Sequence, residues 1–278
     1  MPTFPAPVPV PVVVDLVVGS LHVVAGERDD VVVTVLPADP SKARDVRAAE
    51  EVRVDQVAGS VTITGPRWKQ YLAFNAGTPA VTVELPVGTD LSGTASSLYA
   101  EGTLGTVAVT VNAGDARVEA AGRLDLKASA GSIVVGRATG ATSIKASAGS
   151  VRITEFAGEG TIRASNGTTT VGSVTGSLHV AGAHADVAVG TVRGALTAKA
   201  AYAGIRVDRV ESGTVTLTTA YGSIEVGVPE GTAAWLDVAS DHGTVRNQLS
   251  PTDGPVEDEA TAEIHASTGY GDILVRRP

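Results

Sequence analysis

The chain has 278 residues, and 43% of them are hydrophobic, which is enough for one large domain or two small ones with a buried core. Its formal net charge of −9 disfavours a nucleic-acid-binding protein, because such proteins are usually basic. Cysteine is absent, so the chain forms no disulfide and offers no thiolate to a metal ion.

The N-terminal sequence differs from a secretory signal peptide. Residues 1–5 carry no basic segment, and the apolar run from Val8 to Val18 is interrupted by Pro9, Pro11 and Asp15. No stretch of the chain reaches the roughly 18 apolar residues of a membrane-spanning helix. We therefore expect a cytoplasmic protein without a membrane span, with the cell surface as the alternative location.

The first third of the chain is rich in predicted strands but irregular. Strands are predicted at Val12–Val18, Leu21–Val24 and Val31–Leu36. Residues 41–52 are rich in Ala, Arg and Glu and contain no Gly or Pro, which predicts one short helix. We expect residues 1–95 to form an irregular cap of divergent coils. Residues 96–278 are expected to form the regular part, with a surface loop inserted near 250–259.

A short pattern then recurs about every 18 residues, and its anchor is a glycine that follows a small or aromatic residue and precedes an apolar strand. The anchors are Gly114, Gly131, Gly149, Gly167, Gly204, Gly222, Gly243 and Gly271. Ala185 stands at the anchor position between Gly167 and Gly204. A fixed period of this length indicates stacked copies of one small unit.

Each repeat has three short apolar segments separated by small residues or glycine. In the repeat after Gly131, Ile133 and Val135 alternate, Ala138 follows, and Ile144 lies beside the outward Lys145. A single unit of this kind buries little, whereas coils stacked about 4.8 Å apart would pair every strand and close a narrow core. We therefore predict an all-β fold, a β-solenoid of small triangular coils. Right-handed coils are expected from the usual chirality of strand crossovers, and the alternative fold is a β-sandwich.

The repeated Ser-Ala-Gly-Ser-Ile and Tyr-Gly-Ser-Ile-Glu-Val segments, followed by Leu-Asp-Val or Ile-Lys-Ala strands, resemble a known bacterial family. It is the "putative adhesin" or β-strand-repeat family, whose function is uncharacterised, and the resemblance extends roughly from Val12 to Arg277. The resemblance implies a β-solenoid. It supplies no catalytic residues.

Two columns of side chains are candidate binding sites. Tyr202 and Tyr221 occupy equivalent corners of adjacent coils, and Tyr270 reuses that corner, so the three could stack on sugar rings or anchor a protein. Packing over a corner is the structural alternative. A further aromatic group, Trp68, Tyr71 and Phe74, lies in the irregular part.

The second candidate is basic. Lys127, Lys145 and Arg163 share one outward position in three successive repeats, where they could meet a polyanion or an acidic polysaccharide. An ordinary solvated face is the alternative, since like charges cost little on a surface.

Metal, cofactor and hydrolytic chemistry are not indicated. The five histidines form no His-x-His or His-x3-His pair, and no phosphate-binding loop or nucleophile elbow is present. The densest acids are Asp115, Glu119 and Asp125, followed by Glu155 and Glu159, and neither group recurs on one face of adjacent coils.

We expect a non-enzymatic scaffold or binding module that presents its repeated faces to a protein or a glycan. An exported adhesin is the alternative, and a carbohydrate-active enzyme is a weaker one. A monomer or low-order oligomer is expected, because the irregular N-terminal part would cap one end of the solenoid. Arg276, Arg277 and Pro278 would blunt the strand edge at the other end.

Overall fold

The structure is a computed structural model that describes residues 2–66, 77–250, 254 and 259–278. The fold is a β-solenoid, and it is almost entirely β-structure. Contacts group the residues into two compact units, 1–136 and 137–278. The sequence-based division near residue 95 marks a change in regularity and stays a prediction. The aromatic group Trp68, Tyr71 and Phe74 and most of the expected loop near 250–259 lie outside the described residues.

The first unit begins with a mixture of parallel and antiparallel strands. Its elements in chain order are β1 (Thr3–Pro5), β2 (Val12–Gly26), β3 (Asp30–Pro37), α1 (Ala43–Glu50), β4 (Arg53–Val57), β5 (Ser60–Thr64), β6 (Pro79–Pro86), β7 (Leu91–Val111) and β8 (Ala116–Ala128). β9 (Ile133–Ala138) runs across the boundary between the units.

Within this unit the irregular residues precede regular coils. β2 pairs in parallel with β7, and β7 pairs in parallel with β8, where Leu98 meets Ala116 of the following repeat. β6 pairs with β3 and β3 with β1 in antiparallel fashion, as does β5 with β4. Stacked coils pair in parallel, so these antiparallel pairs mark the part of the unit that departs from the repeat.

The helix α1 lies inside the range in which the sequence predicts one, and it packs against β3 and β6. Its Asp45 is almost fully buried and accepts a hydrogen bond from the backbone N–H of Thr78 at 2.9 Å. A buried carboxylate needs such a partner, and this bond ties the helix to the start of β6.

The second unit consists of parallel coils. Its strands are β10 (Thr142–Ala148), β11 (Val151–Ala200), β12 (Ile205–Tyr221), β13 (Ile224–Gly227), β14 (Thr232–His242), β15 (Val245–Asn247), β16 (Ala260–Tyr270) and β17 (Ile273–Arg276). The 50-residue β11 continues through the corners of several coils. Ile144 of β10 pairs with Ile162 of β11, and Val187 of β11 pairs with Ile205 of β12, so each residue meets its counterpart in the next repeat.

The predicted inward side chains form the core of this unit. In each coil the same three apolar segments are buried. In one coil the first segment contains Ile205 and Val207, the second Val210 and the third Leu217. Ile144, Ile162 and Phe156 are each no more than 1% exposed. The neighbouring Lys145 and Arg163 are exposed. The inward and outward register predicted from the sequence is therefore confirmed.

The last strands do not follow chain order. β16 pairs in parallel with β12 on one side and with β14 on the other, and β17 likewise lies between β13 and β15. The expectation that Arg276, Arg277 and Pro278 blunt a terminal edge is therefore wrong, because Arg276 belongs to an inner strand. Arg277 instead donates a hydrogen bond to the carbonyl oxygen of Val228 at 3.1 Å.

We predict that Ile144→Asp destabilises the protein by at least about 4 kcal/mol, because the position is 1% exposed and an aspartate there has no partner. The matched control is Lys145→Asp at the adjacent, exposed position, with an expected change within about 0.5 kcal/mol. Urea unfolding followed by circular dichroism measures both. Equal losses of stability in the two variants would contradict the assigned register.

Gly167→Ala should destabilise the protein by roughly 2–4 kcal/mol. Gly167 has φ of +119°, and a Cβ atom there would lie 2.0 Å from the carbonyl oxygen of Gly149 in the preceding coil. Gly26→Ala is the control, because a Cβ atom at Gly26 meets nothing within 4 Å. Thermal unfolding compares the two; a Gly167→Ala protein as stable as the Gly26→Ala protein would show that the corner tolerates a side chain.

Candidate functional site

The three predicted tyrosines lie together at one corner of the second unit. The ring of Tyr202 stacks on that of Tyr221 with centroids 5.1 Å apart, and Tyr221 stacks on Tyr270 at 4.9 Å. The interplanar angles are 8° and 4°, so the rings are nearly parallel. The residues are 59%, 47% and 49% exposed respectively.

A histidine extends this stack at each end. His184 stacks on Tyr202 at 5.1 Å, and His242 stacks on Tyr270 at 4.4 Å. Both histidines are exposed. We call the five residues His184, Tyr202, Tyr221, Tyr270 and His242, in this spatial order, the aromatic ladder.

The backbone sets the spacing of the ladder. The N–H of Tyr202 donates to the carbonyl oxygen of Ala183, and that of Tyr221 to Ala201, both at 2.9 Å. Tyr270 is in register with Tyr221 on one side and with His242 on the other. Adjacent strands are about 4.8 Å apart, which matches the ring separations, so coil stacking itself places each ring on the next.

Stacking decides which part of each tyrosine is available to a partner. The two faces of Tyr202, Tyr221 and Tyr270 are directed at neighbouring rings. Their ring edges and hydroxyl groups remain for contact. A sugar ring packs on an aromatic face, so the expected stacking of sugars on these three tyrosines is not supported by the geometry. A row of phenol hydroxyls suits a hydrogen-bonding partner instead.

Sequence reasoning missed the two histidines of the ladder, although a positional signal exists. Every ladder residue stands three positions before the first apolar residue of the strand segment that follows it. These apolar residues are Val187, Ile205, Ile224, Val245 and Ile273. In earlier repeats the ladder position holds Ala130, Ala148 and Asn166, so the aromatic character begins at His184.

The predicted basic column, Lys127, Lys145 and Arg163, lies on β8, β10 and β11 and stays a prediction. Lys145 and Arg163 are direct register partners in the second unit, and both are exposed. Within the described part of the chain, neither forms an ion pair with a carboxylate. Lys127 lies on β8 of the first unit, also exposed and in register with Thr110.

Three of the five acidic residues that the sequence singles out are engaged in contacts between coils, whereas Oδ1 of a fourth, Asp125, is buried without a hydrogen-bond partner. Asp115 accepts a hydrogen bond from the N–H of Ser132 at 2.8 Å, and Glu119 accepts one from Gly102 at 2.8 Å. Glu155 pairs with Arg137 at 2.7 Å. Asp186 and Asp272 repeat the role of Asp115 at Gly204 and Thr244, at 2.9 and 2.8 Å. These carboxylates thus satisfy corner N–H groups between coils.

A second cluster, which the sequence did not indicate, lies on the outward face of β14 and β16. Trp235 is 57% exposed, and its indole meets the imidazole of His265 in a T-shaped contact at 5.2 Å. His265 Nε2 lies 3.1 Å from Glu263 Oε1, and Nδ1 lies 3.3 Å from Asp237 Oδ2. We call Trp235, Asp237, Glu263 and His265 the Trp235 patch.

The two carboxylates favour the protonated imidazole. A neutral imidazole donates from one nitrogen only, whereas both nitrogens of His265 face a carboxylate. The hydrogen bond with Glu263, followed by that with Asp237, raises the pKa of His265 above its ordinary value of 6.5. The side chain is about one-third exposed, so solvent weakens the effect on stability.

The described residues offer neither a metal site nor a membrane-spanning helix. No group of three or more His, Cys, Asp or Glu side chains there could hold a metal ion. No helix in the same residues is long and apolar enough to cross a membrane.

We predict a pH-dependent contribution of His265 to stability. Because its pKa is higher in the folded protein, its ionic contacts stabilise the fold fully below the unfolded pKa of 6.5. The contribution disappears as the pH rises through the folded pKa. The melting temperature of the wild type should exceed that of His265→Gln at about pH 5.5 and approach it at about pH 8.5. His179→Gln is the control, and a pH-independent difference for His265→Gln would refute the assignment.

Three solved structures are similar to this chain at low identity. One is a putative cell adhesion protein from Clostridium sporogenes ATCC 15579, with 9% identity over 99% of this chain and 94% of that chain and a TM-score of 0.23. The second is a putative adhesin from Parabacteroides distasonis ATCC 8503, with 12% identity, coverage of 99% and 95%, and a TM-score of 0.36. The third is a putative adhesin from Bacteroides fragilis NCTC 9343, with 12% identity, the same coverage and a TM-score of 0.30.

A search of curated proteins finds no significant match. A comparison with models of protein families does find a match, and it extends over residues 15–276. This range agrees with the part of the chain in which the repeated glycine and aliphatic pattern is found. The chain belongs to the Toastrack DUF4097 family.

Proposed function

We propose that the protein is a non-enzymatic binding module that holds a partner protein on its aromatic ladder. The observation that carries the proposal is the ladder itself, five exposed rings in one column of the second unit. Aromatic residues make up only 4% of the chain. Exposed tyrosines are typical of the central contacts of protein interfaces.

The geometry favours a protein over a glycan as the partner of the ladder. The tyrosine faces are occupied by stacking, so contacts come from hydroxyl groups and ring edges. Hydroxyl groups repeated about every 5 Å match the spacing of backbone groups on neighbouring β-strands. The rings are also held in place before binding, which reduces the entropy lost on association.

The non-enzymatic part of the proposal is supported by the contacts of three of the five candidate acids. Asp115 and Glu119 hold backbone N–H groups, and Glu155 holds Arg137. A hydrolytic pair requires two carboxyl groups placed on either side of a substrate. These three acids are instead engaged in contacts that stabilise the coils.

The ladder is tested with purified protein immobilised and exposed to extract of the native cells. Tyr202→Ala/Tyr221→Ala should weaken binding of the retained partner at least tenfold, because both residues are truncated at the centre of the ladder. Tyr99→Ala is the matched control, since Tyr99 is 42% exposed and belongs to the first unit, whereas the ladder belongs to the second. Mass spectrometry identifies the retained protein, and its Kd is then measured with purified components. Equal affinities for the double variant and the control would refute the proposal.

A second variant separates recognition from packing. Tyr202→Phe/Tyr221→Phe/Tyr270→Phe keeps the ring stack and removes only the hydroxyl groups, so its melting temperature should equal that of the wild type. If the hydroxyls recognise the partner, affinity falls while stability holds. An unchanged affinity would show that the ladder serves the packing of the corner alone.

The location of the protein determines where the partner is sought. The cytoplasmic location stays a prediction, and an adhesin at the cell surface is its alternative. Fractionation of native cells, with an antibody against the chain, distinguishes the two: recovery in the cytosol contradicts the adhesin, and recovery in the envelope or medium contradicts the intracellular module.

A further inference from the structure

The Trp235 patch borders a groove of about 700 Å³ at the opposite end of the strands from the aromatic ladder. This volume is within the range of small-molecule sites. Trp235 precedes His242 by seven residues on β14, which corresponds to roughly 23 Å along a strand. The groove and the ladder are therefore separate surfaces of the second unit.

Small residues form the floor of the groove. Gly213, Ala262 and Ala234 are register partners on β12, β16 and β14. The next column holds Thr214, Glu263 and Trp235 in the same order of strands. Because these floor residues have small side chains, the indole of Trp235 borders the open groove.

The indole of Trp235 offers a face to a ligand, in contrast to the ladder tyrosines. Its T-shaped contact with His265 covers at most one face. The side chains in register with it along the column are Glu263 and Thr214, which have no rings. A sugar ring packs its C–H groups against such a face, because the apolar side of the sugar meets the negative face of the ring system.

The polar groups of the groove suit a ligand with several hydroxyls. Ser212, Thr214 and Thr261 line it together with the carboxylate of Glu263. Glu263 is oriented by His265 at 3.1 Å and by the hydroxyl of Thr214 at 3.5 Å. The protein hydroxyls can donate and accept, and the carboxylate can accept, the paired hydrogen bonds that neighbouring sugar hydroxyls make.

The charge of the groove selects against ionic ligands. No Lys or Arg lines it among the described residues. Arg277 lines an adjoining groove that shares Trp235, but its guanidinium donates to the carbonyl oxygens of Val228 and Pro229, so an acidic sugar would have to compete for it. A cationic ligand would compete with His265 for Glu263 and Asp237, which both already contact the imidazole. We propose that the groove beside Trp235 binds a neutral sugar residue, with the indole face packing on the ring and Glu263 accepting from its hydroxyls.

The test is ligand-observed saturation-transfer NMR on the full chain. The neutral probes are maltotetraose, cellotetraose and chitotetraose; the ionic probes are tetragalacturonate and a trimethyl-lysine peptide. At least one neutral probe should bind with a Kd near or below about 1 mM. No signal from any neutral probe at about 10 mM, or a signal from the ionic probes alone, would overturn the proposal.

Variants assign the binding to the groove. Trp235→Ala should weaken the neutral probe at least tenfold, Trp235→Phe should retain part of the affinity, and Glu263→Gln should weaken it severalfold. Trp235 is exposed, so the fold should persist, and circular dichroism verifies this. Tyr202→Ala/Tyr221→Ala is the control and should bind the probe as the wild type does. Equal binding by Trp235→Ala and the wild type would overturn the site, whatever the outcome at the ladder.

Discussion

Parallel hydrogen bonding between successive coils is the constraint on which the rest of the second unit depends. Once Ile144 pairs with Ile162, and Val187 with Ile205, every residue of a coil lies about one strand spacing from its counterpart. Each position in the repeat thereby becomes a column of register partners, one from each coil. A column of aliphatic residues makes a core, an aspartate at a corner accepts a hydrogen bond from the N–H of the neighbouring coil, and a column of rings becomes a stack. The chemistry of the surface is thus decided by what the repeat places at each position.

The columns stay in register when the repeat length changes, because the additional residues are placed at corners and bulges. Between β11 and β12 the register shifts directly after Val192, so the coil that contains β12 is longer than the coil before it. A slip of the whole strand by a single position would turn its inward side chains to solvent. The irregularity after Val192 confines the extra length to one place, so Leu196 still meets Val215 and both remain buried. Tyr202 and Tyr221 are separated by this longer coil, yet their rings stack.

The periodic features could be predicted from the sequence, and the order of the final coils could not. Ile144, Ile162 and Leu217 were correctly placed inside because each copy repeats the same alternation. The shared corner of Tyr221 and Tyr270 was visible in their similar flanking residues. The position of β16 between β12 and β14 could not be predicted, however, because it depends on contacts between distant parts of the chain and not on the spacing of the repeat. The burial of the side chains agrees with this strand order, since Ile264 of the inner strand β16 is fully buried whereas Leu236 of β14 is only half-buried. The Trp235 patch depends on this strand order, because β14 supplies Trp235 and Asp237 while β16 supplies Glu263 and His265.

The same stacking rule explains why the two aromatic surfaces differ in chemistry. In the ladder a ring is followed by a ring, so the faces are occupied and only edges and hydroxyls point outward. In the column of Trp235 the neighbours are Glu263 and Thr214, so no second ring competes for the indole face. A ligand that packs on a ring face therefore has one place to bind among these residues, and a ligand that hydrogen-bonds to phenols has another. Changing the residue next to an aromatic side chain in its column would be enough to convert one type of surface into the other, without any change in the coil that carries it.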